Sequence, residues 1–254
     1  MDRASTHFRS AAFGLGLLLA STLSVAGAPA CPVTPPLAPM HLPHLLSAIS
    51  HGVEGVIVAL GSSSTQGVMA SDLAHSYPAV LQQALSTALP EAHVAVINRG
   101  IGGQDAAEEL ARLEADVLAI RPQLVIWQVG ANGALRNADP AVFHTLVSAG
   151  VRRLQAAGAD VILMDNQQSP ALLAKASEAE FDHQLAEVAR DTGAALFSRR
   201  ALMRAWSREG APPVQFIASD GLHHNDHGYR CVALSLAQTI TTALTPRPPV
   251  TASR

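Results

Sequence analysis

Three consecutive serines, Ser62, Ser63 and Ser64, stand in the stretch Gly61-Ser62-Ser63-Ser64-Thr65-Gln66-Gly67, directly after a short apolar run. A serine hydroxyl is a poor nucleophile at neutral pH. It needs a base within hydrogen-bond reach, and the base needs a third group to fix its tautomer. Asp220 and His223, in Asp220-Gly221-Leu222-His223-His224-Asn225-Asp226-His227, supply such a pair. At this spacing a carboxylate can curl back onto one imidazole nitrogen and leave the other free. Serine attack on a carbonyl also demands donors for the oxyanion that forms. Gly102-Gly103 allows close backbone approach, and Asn132, between Gly130 and Gly133, offers a side-chain amide. Each feature has a plainer reading as a turn glycine, a capping asparagine or an accidental Asp-x-x-His. Residue types alone leave open which serine would react.

The segments that must position these residues follow one pattern. Short, continuously apolar runs at 55–60, 93–97, 124–129, 160–164 and 194–197 read as strands of a parallel sheet buried on both faces. Between and after them, helical patterns run over 77–89, 106–120, 140–157, 172–192 and 227–244. This alternation predicts an α/β fold, a three-layer α/β/α sandwich with a five-stranded, parallel, doubly wound, flavodoxin-like sheet. In such a sheet the ligand site lies beyond the carboxyl ends of the strands. The loops after the first three strands carry the serines, Gly102-Gly103 and Asn132, so all three should converge on one rim.

With the segments placed, the chain resembles the SGNH (GDSL-type) hydrolases, and the blocks match in order over nearly all of it. Gly61-Ser62-Ser63-Ser64-Thr65-Gln66-Gly67 is similar to the family's Gly-Asp-Ser-x-Thr-x-Gly, which puts the nucleophile at Ser63. Asn98-Arg99-Gly100-Ile101-Gly102-Gly103 resembles the second block, whose oxyanion glycine falls on Gly103. Gly130-Ala131-Asn132 resembles Gly-x-Asn-Asp, with the oxyanion asparagine at Asn132, and Asp220-Gly221-Leu222-His223 resembles the final Asp-x-x-His. The resemblance implies a serine esterase with Ser63, His223 and Asp220 as triad. Its oxyanion hole would comprise Ser63, Gly103 and Asn132, and neither cofactor nor metal would be needed. Two positions depart from the pattern: Ser62 replaces the usual aspartate, and Gly133 replaces the aspartate after the asparagine. Neither is a reacting group, but both positions support the loops.

Two other chemistries compete. Asp220, His223, His224, Asp226 and His227 form a dense patch of potential metal ligands, as in a metal-dependent hydrolase. A serine- and threonine-rich loop after a first parallel strand can also cradle phosphate in a non-catalytic, flavodoxin-like module. Val68-Met69 stands after the loop where a nucleotide triphosphatase would need lysine.

Residues 1–30 read as a secretory signal peptide. Arg3, His7 and Arg9 precede an apolar run over 11–20 and small residues up to Ala28-Pro29-Ala30, with cleavage expected before Cys31. A proline-rich lead-in over 31–52, a catalytic domain over 53–244 and a loose tail over 245–254 complete the expected organisation. The chain should therefore be secreted or periplasmic, with no membrane span after cleavage. A net charge of -3 without a basic run argues against a nucleic-acid partner. The two cysteines, Cys31 and Cys231, are either bridged or left as a mobile thiol and a buried one. Export favours extracellular or envelope substrates, such as acetylated glycans or lysolipids, so the partner is a glycan ester or a small molecule. Aromatic residues are only 4% of the chain, and Trp127 reads as core, so an extended sugar-stacking cleft is not expected. That points to short acyl groups such as O-acetyl, or to small esters.

Overall fold

A computed structural model describes residues 29–35 and 37–245. The segments read as signal peptide and tail therefore lie almost wholly outside the described residues. Five parallel strands form one sheet: β1 (Gly55–Gly61), β2 (Val94–Gly100), β3 (Leu124–Gln128), β4 (Asp160–Met164) and β5 (Ala195–Phe197). Their spatial order is β2-β1-β3-β4-β5, so the chain starts near the middle, winds to one edge and returns to the other.

Strand side chains alternate between two cores, as a period of two requires. Ile57, Ala59, Leu124, Ile126, Ile162 and Met164 face one helical layer, formed by α1 (Pro43–Ser50), α3 (Tyr77–Ala88), α10 (Arg199–Arg208) and α11 (Asp226–Leu244). Val58, Leu60, Val125, Trp127, Val161 and Leu163 face the other, formed by α4 (Ala106–Ala111), α5 (Leu113–Asp116), α7 (Pro140–Ala156) and α9 (Glu178–Thr192). Trp127 is fully buried in this second core. Short helices α2 (Ser63–Gln66), α6 (Ala131–Leu135) and α8 (Pro170–Leu173) follow β1, β3 and β4.

Several expectations are corrected. β2 is an edge strand, and its residues are half-buried or exposed rather than buried on both faces. The single helix expected over 106–120 is three pieces, α4, α5 and a 3-10 turn at Leu118–Ile120. At its first break, the Arg112 side chain turns to Gln104 Oε1, Arg99 O and Gly61 O at 2.6, 2.9 and 3.0 Å. The helix expected over 172–192 is also interrupted, between α8 and α9. α10 was not anticipated, because its arginines mask the buried face made by Leu202, Met203 and Trp206.

The proline-rich lead-in is docked against the domain, with Leu37, Met40, Leu42 and Leu45 packed into the first core. Proline at the first turn starts α1, and Leu45 is fully buried. The Leu45 N–H donates to Asp160 Oδ2 at the start of β4, at 2.9 Å. Cys31 and Cys231 form a disulfide with Cα atoms 5.3 Å apart, fastening the segment to α11. Of the two alternatives for the cysteines, the bridge is the one present.

Candidate active site

Two of the three expected loops are short helices. β1 ends at Gly61, and Ser63 is the first residue of α2. Ser62 precedes it with its side chain buried. Gln128 Oε1, at the end of β3, accepts from Ser62 N–H at 3.1 Å and from the Ser62 and Thr65 hydroxyls at 3.2 Å each. The hydroxyls of Ser62 and Thr65 therefore point into the protein, away from any bound phosphate. Ser64 is buried as well. Only the Ser63 hydroxyl faces a base.

That base is His223, whose Nε2 lies 2.8 Å from Ser63 Oγ. His223 Nδ1 lies 2.5 Å from Asp220 Oδ2. A carboxylate accepts only, so the proton sits on Nδ1 and Nε2 is left to accept from the serine hydroxyl. Asp220 Oδ1 also accepts from the Leu222 and His223 amides, at 2.9 and 3.0 Å. Partial burial pushes the Asp220 carboxyl up, but these hydrogen bonds and the imidazole outweigh it and hold the group below the usual carboxylate range.

The histidine loop is gripped from two sides. The Ala218 N–H donates to His223 O at 2.8 Å, and a bridge pairs Ile217 with His224. From the segment after β4, Gln167 Nε2 donates to Leu222 O at 2.8 Å and the Ala171 N–H donates to Gly221 O at 3.0 Å.

The proposed oxyanion donors lie on two neighbouring segments. A Cβ built on Gly102 would be 3.9 Å from Ser63 Cβ, so the glycine loop lies against the serine. Gly103 has a left-handed backbone, φ 81°. The Ser63 and Gly103 amides have no acceptor among the described residues. Asn132, in the first turn of α6, spends one Nδ2 hydrogen on Gln104 O at 2.7 Å and keeps the other. Arg136 fastens the glycine loop, donating to Gly103 O at 2.7 Å and pairing with Asp105 and Glu108 at 2.9 and 3.1 Å.

The histidine-rich patch does not converge. His224 is fully buried, its Nδ1 on Phe216 O at 3.0 Å, and burial, helped by the Arg199 charge, pushes its pKa down to about 3. Asp226 accepts from the Ser71 amide at 2.8 Å. His227 stacks on Phe216 and lies 3.7 Å from Cys231 Sγ. Among the described residues, the one cluster with metal-ligand spacing is Cys31, His227 and Cys231, whose sulfurs are joined in the disulfide.

Sequence reasoning missed the supporting residues Gln66, Gln104, Arg112, Gln128, Arg136 and Gln167. Each is a single polar residue whose partner lies elsewhere in the chain, with no local spacing to mark it. Gln66 Oε1, for example, accepts from the Gly102 amide at 2.8 Å.

A doubly wound sheet bearing this rim is the architecture of the SGNH-type ester hydrolases, and comparison with known proteins agrees. The chain belongs to the non-GDSL lipase-like family, whose model matches residues 30–246, and its esterase relatives make it a carboxylic ester hydrolase of the SGNH type. It is 28% identical over 197 residues to an arylesterase of Vibrio mimicus, covering 77% of this chain and 92% of that one. It is likewise 28% identical over 171 residues to the esterase TesA of Pseudomonas aeruginosa, covering 67% of this chain and 76% of the other. Among solved structures, a two-domain esterase (CEX) active on acetylated mannans superposes with a TM-score of 0.69 at 25% identity. That match covers 84% of this chain and 56% of the larger protein. A crystal structure of TesA superposes with a TM-score of 0.64 at 25% identity, over 74% of this chain and 99% of that one. No helix among the described residues is long and apolar enough to cross a membrane.

Proposed function

We propose that this esterase acts outside the cytoplasm on short-acyl esters, O-acetyl groups of glycans or small esters, through an acyl-enzyme on Ser63. The observation that carries this reading is the chain of contacts from Asp220 through His223 to Ser63 Oγ, at 2.5 and 2.8 Å. His223 Nε2 takes the hydroxyl proton as Ser63 Oγ attacks the ester carbonyl, and Asp220 stabilises the imidazolium. The Ser63 and Gly103 amides and the Asn132 side chain bind the oxyanion. Collapse passes the proton from His223 to the departing alcohol. Water, activated by the same imidazole, then releases the acid.

The disulfide supports an extracytoplasmic site of action, since such bonds persist in oxidising compartments. The acetylated mannans on which the two-domain neighbour acts support the acetyl-glycan reading.

The test is a series of p-nitrophenyl esters from acetyl to long acyl, run beside acetate release from acetylated glycans and labelling by a fluorophosphonate. The expected result is highest kcat/KM on the short esters and a single adduct at Ser63. Absence of labelling would exclude the nucleophile, and a preference for long acyl chains would exclude the short-acyl assignment.

A further inference from the structure

A cleft of 540 Å³ opens beside α10, at the β4–β5 side of the sheet, lined by Gln168, Ser198, Arg200, Arg204, Ser207 and Arg208. Its volume falls in the range of about 300–1,000 Å³ usual for small-ligand sites. Its upper end is formed by residues just past the carboxyl ends of β4 and β5, the same edge of the sheet that carries Ser63. The segment 167–171 separates the two. Gln167 and Ala171 hold the histidine loop, while Gln168 turns toward the cleft.

The charged groups that line it are guanidinium donors. Arg200, Arg204 and Arg208 recur every four residues and so share one face of α10. Arg200 is already neutralised, pairing with Glu178 at 2.5 Å and Asp182 at 2.6 Å. Arg204 and Arg208 are exposed and have no carboxylate partner among the described residues, so two like charges stand one turn apart without compensation. The Ser198 hydroxyl donates to Asp165 and that of Ser207 to Met203 O. Gln168 is only 8% exposed, and its side-chain amide has no hydrogen-bond partner among the described residues. An unpaired amide on the cleft wall beside two uncompensated guanidinium groups matches a ligand that brings oxygen acceptors and negative charge.

We propose that this cleft is an accessory site for the carboxylate or phosphate group of an acidic glycan. The identity of the polymer rests on the glycan-ester reading above; the anion rests on the cleft alone. Arg204 and Arg208 supply the forked contacts, and the Gln168 amide a hydrogen bond.

The experiment titrates the Ser63→Ala protein calorimetrically with trigalacturonate in one arm and glucose 6-phosphate in another, with maltotriose as the neutral control. The variant turns over no ester, so the titration reads binding only, and failure of the esterase assignment would not affect it. At least one anionic probe is expected to bind tenfold or more tightly than maltotriose. Arg204→Gln together with Arg208→Gln should remove at least tenfold of that affinity, and lysine at both positions should restore part of it. Both arginines are exposed, so the substitutions spare the core, and circular dichroism verifies the fold. Equal binding of anionic and neutral probes, or anion binding unchanged in the double glutamine variant, overturns the proposal.

Discussion

A Cβ atom placed on Gly133 would lie 2.5 Å from Cε1 of Phe181 and 3.0 Å from its Cζ. In the family pattern that the sequence resembles, an aspartate stands at this position, next to the residue that falls on Asn132. Here the ring of Phe181 packs into that space, stacked obliquely on Phe143 with centroids 4.8 Å apart. Gly133→Asp should therefore destabilise the protein by about 1–3 kcal/mol through overpacking, with a carboxylate forced against two rings. Thermal unfolding checks this. Combined with Phe181→Ala, the two losses should be less than additive, because the second substitution removes the clash.

Ser63→Ala should abolish ester hydrolysis while leaving the unfolding transition in place. In triads of this type, loss of the nucleophile costs on the order of 10⁶ in kcat. Ser62→Ala should keep much of the activity and lose about 1 kcal/mol of stability. It deletes one donor to Gln128 Oε1, which still accepts from the residue 62 amide and from Thr65. Side-by-side kinetics and urea titrations of the two variants read both effects.

Asn132→Ala should lower kcat by about 100- to 1,000-fold with little change in KM, since the amide meets charge only in the transition state. It also frees Gln104 O, so the glycine loop should loosen. Steady-state kinetics on a p-nitrophenyl ester separates kcat from KM.

Glu109 gives the protein a pH signature. Its carboxyl is fully buried on α4, accepting from Trp127 Nε1 at 2.7 Å, and its other oxygen has no partner among the described residues. Burial pushes its pKa well up, against the opposing hydrogen bond from Trp127 and the charge of Arg112. The folded state thus holds this proton at pH values where the unfolded chain has released it. Stability therefore falls as pH rises from the ordinary carboxylate value toward the raised one, by at most about 1.4 kcal/mol per pH unit. In Glu109→Gln that component vanishes, so the variant should gain on the wild type between pH 5 and pH 8. Asp165 and Asp182, raised by burial to about 7 and about 6, contribute slopes of the same sign to both proteins and cancel in the comparison. Urea unfolding at the two pH values measures the difference.

Replacing both cysteines by serine should cost about 2–4 kcal/mol, because the bridge spans 200 residues and restricts the unfolded chain. The N-terminal segment would also lose its fastening to α11. Comparing thermal unfolding with and without reductant on the wild type gives the same quantity without mutation.

Much of this architecture was legible in the residues. Apolar runs of four to six residues separated by helical patterns fit a layered parallel sheet buried on both faces. β2 escaped that logic because an edge strand needs burial on one side only. α10 and the helix breaks escaped it because arginines and short polar spacers hide their buried positions. The run Asp165-Asn166-Gln167-Gln168-Ser169 has the composition of a surface loop, yet all five residues are buried. Gln167 reaches Leu222 O and Asp165 accepts from the Ser198 hydroxyl, and no local pattern encodes that.

The serines show the same division at the scale of the site. The amino-acid sequence by itself determined that a hydroxyl would lie just past the first strand, and that Asp220 could reach His223 across three residues. By residue type alone it left the three serines equivalent, and only the resemblance to the SGNH pattern pointed to Ser63. Tertiary structure separates them: the Ser62 hydroxyl goes to Gln128, Ser64 is buried, and Ser63 alone meets His223. That last hydrogen bond closes across 160 residues. It depends on the crossing order of all five strands, because only the assembled sheet brings the end of β1 and the start of α11 to one edge.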